Sequence, residues 1–209
     1  MSKTARTRVK HVTGPVVLVY PKFDVPDVYT GPNGVPGKPS YKTNAKDVDG
    51  GTAIAAAQAV VLAELKKLFP KMDPKTRRIT MPNGDTRTVY WPFKEKDGVV
   101  TLTAKSGIIS KETGELQRVP MFGADLVKLP EGVYPGGGSV ARLSLTINEM
   151  RNQGGISFYL NTVQVLKLEE NSFGKSDFEP TAGYVYAPEA TTAPTNDFVD
   201  ADETDAQKF

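Results

Sequence analysis

Alternation of apolar and polar residues is the feature of this 209-residue chain that most limits its fold. Successive side chains of a β-strand point to opposite faces, so such a pattern predicts strands with one buried face. The alternation runs through residues 100–105, 142–147 and 156–165. Glycine-containing turn signals, at residues 112–114, 135–138 and 152–155, separate these segments. The second half of the chain is therefore predicted to be antiparallel β-structure.

The first half of the chain contains two further candidate strands. Residues 16–20 form a β-branched, apolar run that Pro21 is expected to stop, and residues 40–46 alternate weakly. Between them, residues 24–39 are rich in proline and glycine, with a predicted turn at residues 31–34.

One helix is predicted after these strands. Thr52 is a suitable N-cap and Pro70 is expected to end the helix. Five apolar residues recur between them at helical spacing: Ile54, Ala57, Val61, Leu65 and Leu68. Downstream, Asn83 and Gly84 predict a β-hairpin.

One helix and at least five strands predict a mainly β fold, an OB-like five-stranded antiparallel barrel with one α-helix over one end. A β-sandwich is the alternative, because alternation alone does not show whether a sheet closes. We divide the chain into a flexible basic arm (1–12), one OB-fold domain (13–187) and a disordered acidic tail (188–209).

Charge is distributed unevenly along the chain. Residues 188–209 contain six acidic residues and one lysine, a charge of −5. Residues 1–187 contain 25 basic and 18 acidic residues, a charge of +7. A basic body with an acidic tail is typical of a protein that binds polyanions and regulates that binding.

The composition argues against catalysis. The chain has no cysteine, which excludes disulfides and thiolate zinc sites. Its one histidine, His11, lies in the predicted arm, and the carboxylates are scattered over turns. Residues 134–139 contain three glycines, as a phosphate loop does, but a strand rather than a helix follows them. We therefore predict no catalytic residue, metal or cofactor, and no enzymatic activity.

Neither a membrane span nor a secretion signal is predicted. The longest apolar stretch, residues 53–65, is too short to cross a bilayer. Residues 1–10 are basic and lack an apolar signal core. We expect a soluble, intracellular protein.

Aromatic and basic residues suggest a single-stranded nucleic-acid site. Bases stack on aromatic rings while basic groups follow the phosphates, and each stacked base contributes about 1–3 kcal/mol. The candidates occupy outward strand positions or lie close to them in sequence: Tyr90, Trp91, Phe93, Lys94, Thr101, Thr103, Lys105 and Arg142. The alternative for Trp91 and Phe93 is burial in the core, where large aromatic residues usually lie.

The tail ends in an aromatic residue after spaced acidic residues. Such a tail can serve solubility alone, but it can also occupy a basic groove, and a terminal ring with its carboxylate can dock into a partner's pocket. The predicted partner-binding residues are Asp197, Asp200, Asp202, Glu203, Asp205 and Phe209.

Four segments and the tail resemble the single-stranded DNA-binding proteins of bacteriophages, especially podophages. The segments are SYKTNAKDV (40–48), WPFKEKDGVVTLTAKS (91–106), PGGGSVARLSLTI (135–147) and GGISFYLNTVQVLKL (154–168). The resemblance implies an OB fold that binds single-stranded DNA regardless of sequence, with Tyr41 and Lys42 at the groove beside Thr101, Thr103 and Lys105. It also implies dimerisation through the tail, and tail contacts with the replicative DNA polymerase and helicase-primase.

The functional hypothesis is a protein that coats single-stranded DNA in phage replication, recombination and repair, in the cytoplasm of the infected bacterial host. The alternatives are a structural or assembly β-protein whose tail is a solubility device, and a hydrolase on an OB-like scaffold.

Overall fold

The computed structural model describes residues 9–30, 33–80, 84–110, 113–150 and 154–169, all of which belong to one unit, Met1–Phe173. Within these ranges the chain forms ten strands and one helix. In chain order they are β1 (Val9–Val12), β2 (Val16–Asp27), β3 (Ser40–Asp47), α1 (Ala53–Leu68), β4 (Arg78–Thr80), β5 (Thr86–Thr88), β6 (Phe93–Lys96), β7 (Val99–Gly107), β8 (Met121–Phe122), β9 (Val140–Glu149) and β10 (Ile156–Lys167).

Five of the strands close into a barrel in the order β2–β3–β7–β10–β9, with β9 returning to β2. Pairing of Val16 with Ala141 and of Val17 with Val140 closes it. The predicted OB-like barrel is confirmed, and closure removes the β-sandwich alternative. The barrel departs from the prediction in one respect, because β7 and β10 run parallel. Alternation carries no information on strand direction, so the sequence could not show this.

The predicted inward residues fill the barrel. Side chains less than 2% exposed include Leu102 on β7, Leu143 and Leu145 on β9, and Leu160 on β10. Most of their polar sequence neighbours are more exposed, as a period of two requires, although Thr146 beside Leu145 is only 7% exposed. The alternation therefore identified the core face of each of these strands correctly.

Strand β2 is longer than predicted, because Pro21 does not end it. Its pairing with β3 is irregular between Val19 and Lys22 and again between Lys22 and Asp27. The two prolines, Pro21 and Pro26, fall within these irregular stretches. A missing N–H costs no ladder hydrogen bond there, so the strand continues through both residues.

The helix is confirmed, but its N-terminal cap is not the predicted residue. Thr52 makes no side-chain capping hydrogen bond. Instead the backbone N–H of Ile54 donates to Oδ1 of Asp47, at the end of β3, at 2.9 Å. The predicted apolar face is buried at Ile54, Ala57, Val61 and Leu65, whereas Leu68 is 40% exposed.

The predicted flexible arm is ordered over its last four residues. Strand β1 pairs with β9, with Val9 opposite Ile147 and Val12 opposite Ser144. His11 is half-buried there, its Nε2 has no hydrogen-bond partner, and burial lowers the pKa of its imidazole. Residues 1–8 of the arm lie outside the described residues.

Outside the barrel, β4 and β5 form the predicted hairpin as a separate two-stranded sheet. Within the described ranges, no helix is both long and apolar enough to cross a membrane.

Candidate nucleic-acid interface

The outer face of β3 and β7 carries polar residues in directly opposed pairs. Lys42 lies opposite Lys105, Asn44 opposite Thr103, and Lys46 opposite Thr101. The hydroxyl of Thr103 donates to Oδ1 of Asn44 at 2.8 Å. This hydrogen bond joins the two strands in the middle of the face.

A row of lysines crosses three neighbouring strands. Lys22 on β2 pairs with Lys42 on β3, which pairs with Lys105 on β7. Lys42 also forms an ion pair with Asp27 at 3.7 Å, whereas Lys22 and Lys105 are exposed. Opposed like charges destabilise a sheet, and neighbouring strands are only about 4.8 Å apart. An anion lying across the row would remove this repulsion.

The row meets an aromatic residue on β10. Tyr159 pairs with Lys105, so its ring lies next to the last lysine of the row. The amide of Gln117 donates to the Tyr159 hydroxyl at 3.1 Å and to the carbonyl of Gly107 at 3.2 Å. These contacts hold Tyr159 against the strand that carries Lys105.

A groove of about 500 Å³ opens beside Lys105. Three tyrosines contribute to its walls: Tyr29, Tyr90 and Tyr159. The remaining lining residues are Ser40, Thr103, Ser106, Gly107, Asn148, Met150, Ser157 and Phe158. Lys105 is thus the one charged side chain among the described residues that line it. The groove combines aromatic rings, hydroxyls and a cation, which are the groups that bind single-stranded nucleic acid.

The groove occupies the usual binding face of an OB barrel. In that fold the second and third strands bind ligands, with the loops between strands one and two and between strands four and five. Here those strands are β3 and β7. Tyr29 follows β2, and Met150 follows β9, so the two corresponding loops each contribute to the groove.

A glycine holds Tyr90 at the edge of the groove. The backbone N–H of Tyr90 donates to the carbonyl of Gly154 at 3.0 Å, and the N–H of Ile156 donates to the carbonyl of Tyr90 at 3.1 Å. Gly155, between them, has φ +112°, and a Cβ there would lie 2.4 Å from the Tyr90 nitrogen and oxygen. Only glycine permits this close approach.

The structure brings part of the predicted site together. Tyr90, Thr103 and Lys105 line the groove, and Lys42 lies directly opposite Lys105. Thr101 continues the same face and pairs with Lys94 of β6, whose carbonyl accepts a hydrogen bond from the Thr101 hydroxyl. These two residues extend the polar face beyond the groove.

Two predicted aromatic residues belong to the core instead. Tyr41 is 6% exposed and Phe93 is 5% exposed, so neither offers a ring to a ligand. Tyr41 faces inward because it alternates with the outward Lys42. Phe93 packs edge-on against Phe158, with the ring centroids 5.6 Å apart. For both residues the prediction of a role at the groove was wrong.

Trp91 and Arg142 are not among the residues that line the groove. The centroids of the Trp91 and Phe93 rings are 4.8 Å apart. The guanidinium of Arg77 lies 5.0 Å from the centroid of the Trp91 ring. Arg142 lies on β9 six residues before Asn148, which lines the groove, and this is about 20 Å along an extended strand. The Nε of Arg142 donates a hydrogen bond to the carbonyl of Thr13 at 3.3 Å. The tail residues Asp197, Asp200, Asp202, Glu203, Asp205 and Phe209 lie outside the described residues.

Sequence reasoning missed Tyr29, Tyr159 and Lys22. Tyr159 alternates with the buried Phe158 and Leu160, so its outward position was visible in the sequence. Tyr29 and Lys22 carried no such signal. Both follow Pro21, where the first strand was expected to end.

Among solved structures, the crystal structure of gp2.5, a single-stranded DNA-binding protein encoded by bacteriophage T7, matches this chain with a TM-score of 0.53. The match covers 87% of this chain and 100% of gp2.5, at 14% sequence identity. The two chains share a fold. The single-stranded DNA-binding protein of bacteriophage Enc34 matches with a TM-score of 0.47 and 16% identity, over 85% of this chain and 94% of that one. No protein-family model and no curated protein sequence matches this chain.

The arrangement of charges suits binding of an anion. The groove lining contains no carboxylate, and the described residues include no cluster of three acidic or histidine side chains that could hold a metal ion. The tyrosine rings of the groove can therefore stack on bases, its polar groups can donate hydrogen bonds, and Lys105 can neutralise a phosphate.

Proposed function

We propose that this chain binds single-stranded DNA without sequence preference, across the outer face of β3 and β7. The observation that carries the proposal is the position of Lys105, which ends the lysine row and borders the tyrosine-lined groove. Phosphates would lie along Lys22, Lys42 and Lys105, and bases would stack on the exposed tyrosine rings. The protein gp2.5, which shares the fold, is a single-stranded DNA-binding protein.

The wider role that we propose is to coat and protect single-stranded DNA during phage replication, recombination and repair, in the host cytoplasm. The acidic tail would compete with DNA for the basic face and recruit the polymerase and helicase-primase, and the chain would form a dimer. The support is the charge of −5 on residues 188–209 against +7 on residues 1–187, together with the terminal Phe209. The proposed DNA-binding domain is the predicted range 13–187 together with β1, which pairs with β9.

Fluorescence anisotropy with labelled oligo-dT and a matched duplex, each at two salt concentrations, tests the binding. We expect preference for the single strand and weaker binding at high salt, because neutralised phosphates release counterions. Absence of binding at low salt would leave the structural or assembly β-protein as the better hypothesis.

Two variant pairs test the site itself. Lys105→Ala should weaken binding to all sequences alike and reduce the salt slope by about 0.7. Lys66→Ala, which removes an exposed lysine of α1, is the control for the lost charge.

Tyr29→Ala should lose about 1–3 kcal/mol of stacking free energy, and Tyr29→Phe should keep it because the ring remains. Equal effects within either pair would contradict the assignment of that residue.

A further inference from the structure

The segment between α1 and β6 carries a concentration of basic residues that the groove does not use. Residues 71–80 and 84–88, named here the basic hairpin, contain five basic and two acidic residues. The basic residues are Lys71, Lys75, Arg77, Arg78 and Arg87. The hairpin strands, β4 and β5, belong to a sheet of their own, so barrel closure does not explain them.

The hairpin is fixed to the body by apolar contacts. Met72 and Ile79 of the hairpin, and Val89 directly after it, are each at most 8% exposed and join the hydrophobic core. An isolated two-stranded hairpin is marginally stable in water, so these anchors hold it in place. The rest of the ribbon is thereby presented to solvent in a defined orientation.

The outward side of the ribbon carries one arginine and three threonines. Arg78 pairs with Thr88, and Thr80 pairs with Thr86, and all four side chains are exposed. Arginine and threonine are common donors to phosphate oxygens, and the guanidinium forms two parallel hydrogen bonds with such a group. The side chains that face solvent thus match a nucleic-acid backbone.

The turn that precedes the ribbon is ordered around Asp73. Its carboxylate accepts hydrogen bonds from the Thr76 hydroxyl at 2.6 Å and from the backbone N–H of Lys75 at 2.9 Å. The bond from Thr76, followed by that from Lys75, lowers the pKa of Asp73. Because these local donors engage the carboxylate, the exposed Lys75 is held at a defined place on the turn.

The inward arginines tie the hairpin to the edge of the groove. The backbone N–H of Val89 donates to the carbonyl of Arg77 at 3.0 Å, directly before Tyr90. The guanidinium of Arg77 lies over the Trp91 ring. The guanidinium of Arg87 lies close to Gly154, since a Cβ built on Gly154 would be 2.9 Å from its Nη2. The carbonyl of Gly154 is the acceptor for the Tyr90 N–H. The Nε atoms of both arginines are buried without a hydrogen-bond partner. The basic hairpin therefore adjoins the groove at its Tyr90 end.

We propose that the basic hairpin is a second phosphate-binding surface, which single-stranded DNA reaches when it passes Tyr90 and leaves the groove. This inference rests on the proposed function and adds a DNA path that the groove alone does not provide. A short oligonucleotide fills the groove without reaching the hairpin. A longer one contacts both surfaces.

The test compares oligo-dT of about 5 and about 15 nucleotides, near the two ends of the site sizes of OB folds, by anisotropy over a salt series. The variant is Lys75→Ala with Arg78→Ala, two exposed residues of the basic hairpin. The control, Lys128→Ala with Lys167→Ala, removes the same charge from exposed positions outside the hairpin and the groove.

We expect the hairpin variant to bind the long oligonucleotide more weakly, with a salt slope lower by about 1.4, since each lost phosphate contact on a single strand lowers it by about 0.7. Binding of the short oligonucleotide should match that of the control variant. Equal weakening at both lengths, or no difference from the control, would overturn this inference while leaving the groove intact. Absence of salt-dependent binding by the unaltered chain would overturn the proposed function as well.

Discussion

At the scale of single residues, the candidate site depends on which face each side chain occupies. Lys42 and Tyr41 are neighbours in sequence, yet Lys42 joins the lysine row and Tyr41 joins the core. A strand sends successive side chains to opposite faces, so residue type alone did not separate the two roles. Tyr90 reaches the groove edge through backbone contacts that only a glycine at position 155 permits.

Gly155→Ala is expected to destabilise the fold. The new Cβ would clash with the Tyr90 backbone, and a non-glycine residue at φ +112° is strained. The unfolding free energy, measured by urea denaturation, should fall by about 2 kcal/mol or more. Gly98→Ala is the matched control, because Gly98 has φ +72° with nothing within 4 Å of a new Cβ, and should cost about 1–2 kcal/mol from backbone conformation alone. Equal losses for the two variants would show that the contact with Tyr90 is unimportant.

At the scale of elements, the sequence predicted the existence of helix α1 and of the long strands better than their ends. The helical spacing located α1 within one residue of its observed start, and Pro70 lies just beyond its end. The end of β2 was predicted too early because a proline usually ends a regularly hydrogen-bonded strand. The pairing of β2 with β3 is irregular at Pro21, so the missing N–H costs no hydrogen bond between the strands. The cap of α1 was misassigned because the residue that accepts the Ile54 N–H is Asp47, seven residues earlier, and not the residue next to the helix.

Asp47→Ala is expected to destabilise the protein by about 1 kcal/mol, the usual cost of removing a side chain that caps a helix N-terminus. Thr52→Ala should have little effect, since its side chain makes no capping hydrogen bond. Urea denaturation of both variants measures the difference. A larger loss for Thr52→Ala than for Asp47→Ala would contradict the observed cap.

At the scale of the whole molecule, residues 1–187 and the tail, residues 188–209, carry opposite net charges. The basic residues of the barrel face and of the basic hairpin belong to residues 1–187, and the acidic residues of the tail lie between Glu189 and Asp205. Such an opposition predicts competition between the tail and DNA for the same basic surface, strongest at low salt, where charges are least screened.

Deleting Asp197–Phe209, which carries five acidic residues and Lys208, should therefore strengthen binding to oligo-dT. The gain should be largest at low salt and should diminish as salt is raised. Anisotropy titrations of the full chain and the truncated chain measure it. An unchanged affinity at low salt would refute competition by the tail and favour its role as a solubility device.

The sequence by itself determined the strand faces, the helix and the separation of charge. Strand faces and helices are local features, because a period of two or 3.6 residues is visible within one segment. The separation of charge is a count of residue types and needs no structure. Only the tertiary structure decided the parallel pairing of β7 with β10 and the alignment of Lys22, Lys42 and Lys105. It also decided the meeting of Tyr29, Tyr90 and Tyr159 around one groove. The reason is physical, because register and barrel closure depend on hydrogen bonds between segments far apart in the chain. The sequence of one segment does not specify which other strand it pairs with.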